Sequence, residues 1–197
     1  MHMKSLIKNV VAVILLVVSG TGVSAAELPV TVKVSGEKSI ELSLEQISGK
    51  VWITFKDNSG NVFYTKKVKD LNSYTVKYDL AAFPDGEYQL ELEASSQKLN
   101  VPVTILNGVV ILKEELAKAP RISNKGNVVS VELSGKIAKT WDVMIKDYRG
   151  MVIFKENIEN EQNAMRKYDL SNLTTGDYTI QFSSAGNTFF HHVVVEN

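Results

Sequence analysis

The chain has 197 residues, with 22 basic and 22 acidic side chains, no cysteine and a mean hydropathy of -0.04. Balanced charge creates no general field for nucleic acid or an anionic membrane, so neither is an expected partner. The lack of cysteine removes thiol catalysis, disulfide staples and the usual structural zinc sites, so stability has to come from buried apolar surface.

Residues 1–26 have the three parts of a cleavable secretory signal. Lys4 and Lys8 give a positive start, and Val10 to Val18 is an unbroken apolar run of nine residues. That run is too short to cross a bilayer, which takes about 20 apolar residues. Ser19-Gly20-Thr21-Gly22 breaks a helix, and Val23-Ser24-Ala25-Ala26 supplies small residues for cleavage after Ala25 or Ala26. No cysteine follows the run to carry a lipid, and no later stretch is apolar enough to span a membrane. The expected product is an exported chain. Removing Lys4 and Lys8 leaves 20 basic residues against 22 acidic ones.

From residue 27 onward the pattern is that of strands. Ile40, Leu42 and Leu44 alternate with polar residues, as do Val51, Ile53 and Phe55. Tyr88, Leu90 and Leu92 follow the same rule, and so do Leu99, Val101, Val103 and Ile105. A period of two with one apolar face is the mark of a half-buried antiparallel strand. Turn signals separate the runs at Ser48-Gly49, Asp57-Asn58-Ser59-Gly60, Pro84-Asp85-Gly86 and Asn107-Gly108. The last is a strong hairpin signal. It makes Val109 to Leu112 a strand that either closes the first domain or opens the next. Residues 113–119 read as a charged linker or short helix.

The second half repeats the first at a spacing of 90 residues. Lys56-Asp57-x-x-Gly60-x-Val62 recurs as Lys146-Asp147-x-x-Gly150-x-Val152. Lys77-Tyr78-Asp79-Leu80 recurs as Lys167-Tyr168-Asp169-Leu170, and Gly86-x-Tyr88 as Gly176-x-Tyr178. Between 56 and 88, 10 of 33 positions are identical, against about two expected by chance. Gly36 with Gly126, Ile47 with Ile137 and Val103 with Val193 extend the match more weakly. The expected fold is all-β: two tandem immunoglobulin-like antiparallel β-sandwich domains, at 27–112 and 120–197, after the signal peptide.

The best-kept element is Tyr-Asp-Leu-x-x-(Phe/Leu)-x-x-Gly-(Glu/Asp)-Tyr, at 78–88 and 168–178. A structural role accounts for every position. The Asp caps a turn, and Leu80 with Phe83, or Leu170 with Leu173, covers the end of the sandwich. Gly86 and Gly176 suit a positive φ, and the Tyr enters the next strand pointing inward. The order of strand, Asp-x-x-Gly turn, strand, this motif and a closing hairpin resembles the C-terminal sorting domain of the type IX (Por) secretion system. It equally resembles small exported β-sandwich domains of unknown function from the same bacteria. The resemblance covers about 50–105 and 140–195. It implies the fold and an exported location and supplies no catalytic residues. It also departs from the pattern, because sorting domains usually sit once behind a large passenger.

Candidate sites are few. Asp57-Asn58-Ser59-Gly60 is half of a calcium loop, but the twelfth position is Val68 and the second copy places Arg149 inside the loop. A hairpin turn is expected there. His191 and His192 are neighbours on a strand and point to opposite faces, which does not suit one metal ion. No Gly-x-Ser-x-Gly elbow, phosphate loop or His-Glu-x-x-His sequence occurs, so no enzyme, cofactor or metal is expected. Met144, Met151, Ile153, Phe190 and Val194 all fall on the face of the second copy opposite the inferred core. They form a possible interface, for packing between the domains or for a partner protein. Trp52, outward in the first copy, and Tyr64 nearby are a possible sugar platform. The expected function is a non-enzymatic exported module that binds protein or serves the cell envelope structurally, with carbohydrate binding at Trp52 as the alternative.

Overall fold

The computed structural model describes residues 28–112, 119–134, 140–159 and 163–196. The expected signal peptide, nearly all of the 113–119 linker and Ile137 lie outside the described residues. Among the described residues every regular element is a strand. The chain divides into two compact units. The first carries β1 (Val30–Gly36), β2 (Ser39–Asp57), β3 (Val62–Asp79), β4 (Gly86–Glu93), β5 (Gln97–Leu106) and β6 (Val109–Leu112). The second carries β7 (Arg121–Lys125), β8 (Val128–Ser134), β9 (Thr140–Asp147), β10 (Val152–Glu159), β11 (Asn163–Asp169), β12 (Gly176–Ser184) and β13 (Asn187–Val195).

The second unit is a three-on-four sandwich. One sheet runs β7-β8-β11 and the other β10-β9-β12-β13, with antiparallel pairing throughout. Alternation sends Ile122, Val129, Val131 and Tyr168 inward from the first sheet. Trp141, Val143, Ile145, Ile180, Phe182 and Phe189 face them from the second. Phe154 on β10 and Tyr168 on β11 meet edge to face at 5.8 Å, which closes one side. Trp141 packs on Phe189 at 6.2 Å. A buried tryptophan on the third strand is a hallmark of immunoglobulin-like sandwiches, and here it stands without a disulfide.

The first unit has the same strand order with one difference in continuity. β2 (19 residues) and β3 (18 residues) each run the length of both sheets and pair along almost their whole course. The expected chain reversal at Ser48-Gly49 is a bend instead. The β2–β3 register shifts between Ile47 and Lys50, with Gln46 at φ 50° and Gly49 at φ 82°. Across the ladder Asp70 takes φ 47°, and its carboxylate accepts the Gly49 N–H at 2.7 Å. That side-chain bond holds the kink, so turn-forming residues fold a strand over a corner rather than end it. At the other end, Asn107 (φ 51°) and Gly108 (φ 76°) make the two-residue turn of a hairpin. Asp85 accepts both of their N–H groups. β6 pairs with β5, so Val109–Leu112 closes the first unit.

Both units turn from one sheet to the other through the repeated motif. Asp79 and Asp169 each accept the N–H two residues on, at 2.9 Å. Leu80 N–H donates to Lys38 and Leu170 N–H to Asn127, both carbonyls of the first hairpin. Both leucine side chains are fully buried. Tyr88 then donates its hydroxyl to the Pro84 carbonyl at 2.9 Å, and Tyr178 to that of Thr174 at 2.8 Å. This is the tyrosine corner of immunoglobulin-like sandwiches. Gly176 has a φ of 154°, whereas Gly86 does not take a positive φ. The extended start of β4 needs none there.

The bonds also correct the repeat register. Tyr78 pairs with Ile40, and Tyr168 with Val129. The first hairpins therefore match at a spacing of 89 rather than 90. The extra residue of the first copy is taken up by a bulge between Val34 and Gly36. Gly36 and Gly126 are thus not counterparts.

Tyr178→Phe removes two part-buried hydrogen bonds, to the Thr174 carbonyl and hydroxyl, and should cost about 1–2 kcal/mol. Leu170→Ala empties a fully buried site and should cost about 2–5 kcal/mol. Urea midpoints at constant slope would check both, and a neutral Leu170→Ala would mean that the crossover does not anchor the sandwich.

Candidate functional site

One end of the first unit carries an aromatic cavity with two carboxylates in its lining. There the β2–β3 turn meets the crossover, and an open cavity of about 460 Å³ is lined by Asp57, Phe63, Ala82, Phe83, Pro84, Gly86, Glu87 and Tyr88. Phe63 reaches it because of a bulge. Val62 pairs with Lys56 and Tyr64 with Phe55, which leaves Phe63 as the extra residue. Its ring is half exposed and lies 5.1 Å from Phe83 and 6.0 Å from Tyr88. Phe83 stands edge to face on Tyr88 at 5.6 Å, and Phe55 stacks beneath Tyr88 at 5.5 Å. Strict alternation hides Phe63, since it gives no sign of a bulge. The Asp-x-x-Gly turn just before it was the available signal.

The turn carboxylates are used by their own backbone. Asp57 accepts Asn61 N–H at 2.9 Å and the Asn61 side-chain amide at 2.8 Å. Asp147 accepts the N–H groups of Arg149 and Met151, both at 2.9 Å, and the Arg149 guanidinium at 3.0 Å. Among the described residues no three His, Asp or Glu groups are gathered for a metal ion. The Asn61 side-chain bond chiefly holds Asp57 below the ordinary 3.8. Desolvation pushes Asp147 up, but the bonds from Met151 and Arg149 outweigh it and its pKa is lowered. The Ser171 hydroxyl and N–H lower Asp169.

Trp52 and Tyr64 are not brought together. Trp52 pairs with Lys67 on the outer face, is 47% exposed and has the Lys67 ammonium 5.3 Å over its ring. Tyr64 pairs with the buried Phe55 and packs edge to face on Tyr78, on the inner side of the same sheet. One hairpin offers them on opposite faces, so they make no common platform.

The five apolar residues of the second unit are spread out. Met144 and Phe190 flank Gln181 in one row across β9, β12 and β13, both half-buried. Val194 is 59% exposed near the end of β13, and Met151 is exposed in the β9–β10 turn. Ile153 is the extra residue of a bulge between Val152 and Phe154, at the position Phe63 holds in the first copy. Between them runs a polar ladder: Lys146 to Gln181, Gln181 to Ser183 and Ser183 to Thr188. His191 pairs with the buried Ile180 and lies half-buried with Nε2 3.1 Å from the Asn124 side-chain oxygen. Burial, then the neighbouring His192, lowers its pKa and favours the neutral ring. His192 is exposed on the other face, 3.1 Å from the Thr179 hydroxyl.

The second sandwich, with its Asp-x-x-Gly turn and tyrosine corner, meets a known family. Residues 124–196 match the secretion system C-terminal sorting domain. The sorting-domain match thus covers the second unit nearly from end to end, as the repeated motif implied. A two-domain fibronectin type-III segment of chicken tenascin is 13% identical, over 86% of this chain and 98% of its own, with a TM-score of 0.30. The fibronectin domains FN1–FN3 of chicken CNTN1 are 13% identical, over 89% and 69%, with a TM-score of 0.32. The BSP domain of a biofilm-associated protein is 14% identical, over 85% and 29%, with a TM-score of 0.30. No curated protein matches the chain.

Asp57, Asp147 and Asp169 bind protons less readily in the folded chain than in the unfolded one. Their stabilisation is complete above the ordinary value of 3.8 and is lost as pH falls through the lower folded-state values. Urea midpoints measured from about pH 6 to about pH 2.5 should therefore fall on the acid side, and Asp147→Asn should flatten that fall. An equally steep fall in the variant would remove this carboxyl from the account.

Proposed function

We propose that this chain is an exported, non-catalytic β-sandwich protein. Its second unit serves as a sorting-type module, and its first unit is the part delivered to the envelope or the outside of the cell. The observation that carries this is the match of residues 124–196 to the sorting-domain family. The expected signal at 1–26 agrees with it. The carboxylates of the two Asp-x-x-Gly turns, Asp57 and Asp147, are engaged by their own loop backbone, so neither is placed as an acid–base group.

For the delivered chain we favour binding or structural work over carbohydrate binding. Trp52 has a lysine over its ring, and Tyr64 lies on the other face of the hairpin, which weakens the sugar reading. Half-buried Phe190 and exposed Val194 lie on the outward face of β13 with exposed His192 between them, and these two apolar side chains are the residues there that suit a protein contact.

Intact mass of the native protein from periplasmic, membrane and medium fractions tests the main reading. A surface or medium species lacking residues 120–197 is the expected outcome for a processed sorting unit. A periplasmic species running to Asn197 would overturn the sorting role. Phe190→Lys with Val194→Lys should leave the fold intact and abolish pull-down of an envelope partner. Unchanged capture by the variant would remove that pair as the contact.

A further inference from the structure

The aromatic end of the first unit has no counterpart in the second. Phe63 corresponds to Ile153, Phe83 to Leu173 and Pro84 to Thr174, while Tyr88 and Tyr178 keep the same corner. The frame is shared, so the corner does not require those rings. Their planes meet steeply: 88° between Phe63 and Phe83, 85° between Phe83 and Tyr88, and 60° between Phe63 and Tyr88. The result is a concave aromatic wall rather than the flat ring a sugar stacks on. Phe63 also leaves half of its surface in water, which a core residue would not do.

The charge at this wall has one sign. The lining residues include two carboxylates, Asp57 and Glu87, and no lysine or arginine. Both are held by neutral donors, Asp57 by Asn61 and Glu87 by the Asn58 amide at 2.7 Å. Their charges are positioned but not cancelled. The lysine of the crossover, Lys38, is turned to the carbonyl oxygens of Ala81 and Phe83 and does not line the cavity. Ring faces carry negative quadrupole potential, and a cation over them gains about 0.5–2 kcal/mol, more when desolvated. Aromatic faces beside uncancelled carboxylates favour an organic cation.

We infer that this cavity binds an alkylammonium group, the lysine side chain of a partner polypeptide, against the Phe63 and Phe83 rings, with buried Tyr88 behind them and Asp57 and Glu87 on its rim. The site is independent of the sorting reading, since it lies wholly in the first unit. The second unit, with Ile153 and Leu173, provides the internal control.

The test is NMR titration of the whole mature chain with Nα-acetyl-lysine methylamide, its Nε-trimethyl form and its neutral Nε-acetyl form. The charged probes should shift the ring protons of Phe63, Phe83 and Tyr88. The neutral probe should bind about tenfold more weakly. Glu87→Gln, on the exposed rim, should weaken the charged probes several-fold without changing the thermal midpoint. Phe63→Ile with Phe83→Leu, the residues the second unit already uses, should abolish the response. Equal binding of neutral and charged probes would make this an apolar pocket without charge selection. Methyl glycosides binding in place of the lysine probes would make it a sugar site, and no response to any probe would remove the site. Each of these three results overturns the proposal, whatever the fractionation gives.

Discussion

A tyrosine hydroxyl bonded to the carbonyl four residues before it fixes where the chain leaves one sheet and enters the other in each unit. Around that bond sit an aspartate that caps the turn and a leucine whose N–H reaches back to the first hairpin. The leucine side chain seals the core at the same point. Without cysteine, nothing covalent ties the sheets together, so this crossover carries the work a disulfide does in other sandwiches. The cavity of the first unit and the corresponding end of the second are both built on it.

The sequence pattern makes the core legible, because strands buried on one face must alternate. Leu90, Leu92, Val101 and Val103 are inside as their period requires, and so are Ile180, Phe182 and Val193. Alternation assumes an unbroken ladder, and it fails where the ladder is irregular. Ser48-Gly49 carries the composition of a turn, yet a carboxylate twenty-one residues away converts it into a bend. No local window contains both partners. Phe63 is missed for the same reason, and Ile153 is assigned to a face by a period that the ladder does not keep there, since a bulge inserts one residue at each position. Trp52 and Tyr64 are near one another along the hairpin, but an odd offset across a ladder places them on opposite faces.

The two copies show which positions the fold fixes and which it leaves free. Tyr, Asp and Leu of the crossover are kept because each makes a bond or fills the core. The residues around the cavity change from Phe63, Phe83 and Pro84 to Ile153, Leu173 and Thr174 without disturbing the strands. The same freedom appears at the open side of the sandwich. Tyr168 donates to Glu156 there, and Arg166 bonds the other oxygen of that carboxylate. In the first copy Lys66 holds the place of Glu156 and lies over the Tyr74 ring. Shared backbone with exchanged side chains lets one architecture carry two surfaces.

The two tryptophans fall one to each unit and in contrasting surroundings. Trp141 is 1% exposed in the core of the second, while Trp52 stands 47% exposed on the first beneath a lysine ammonium. The intrinsic emission of the folded chain is therefore a sum of a blue component from one unit and a red component from the other. Soluble quenchers reach only the red one. The protein thus carries its own pair of reporters, from which the opening of either sandwich can be followed separately, with no label attached.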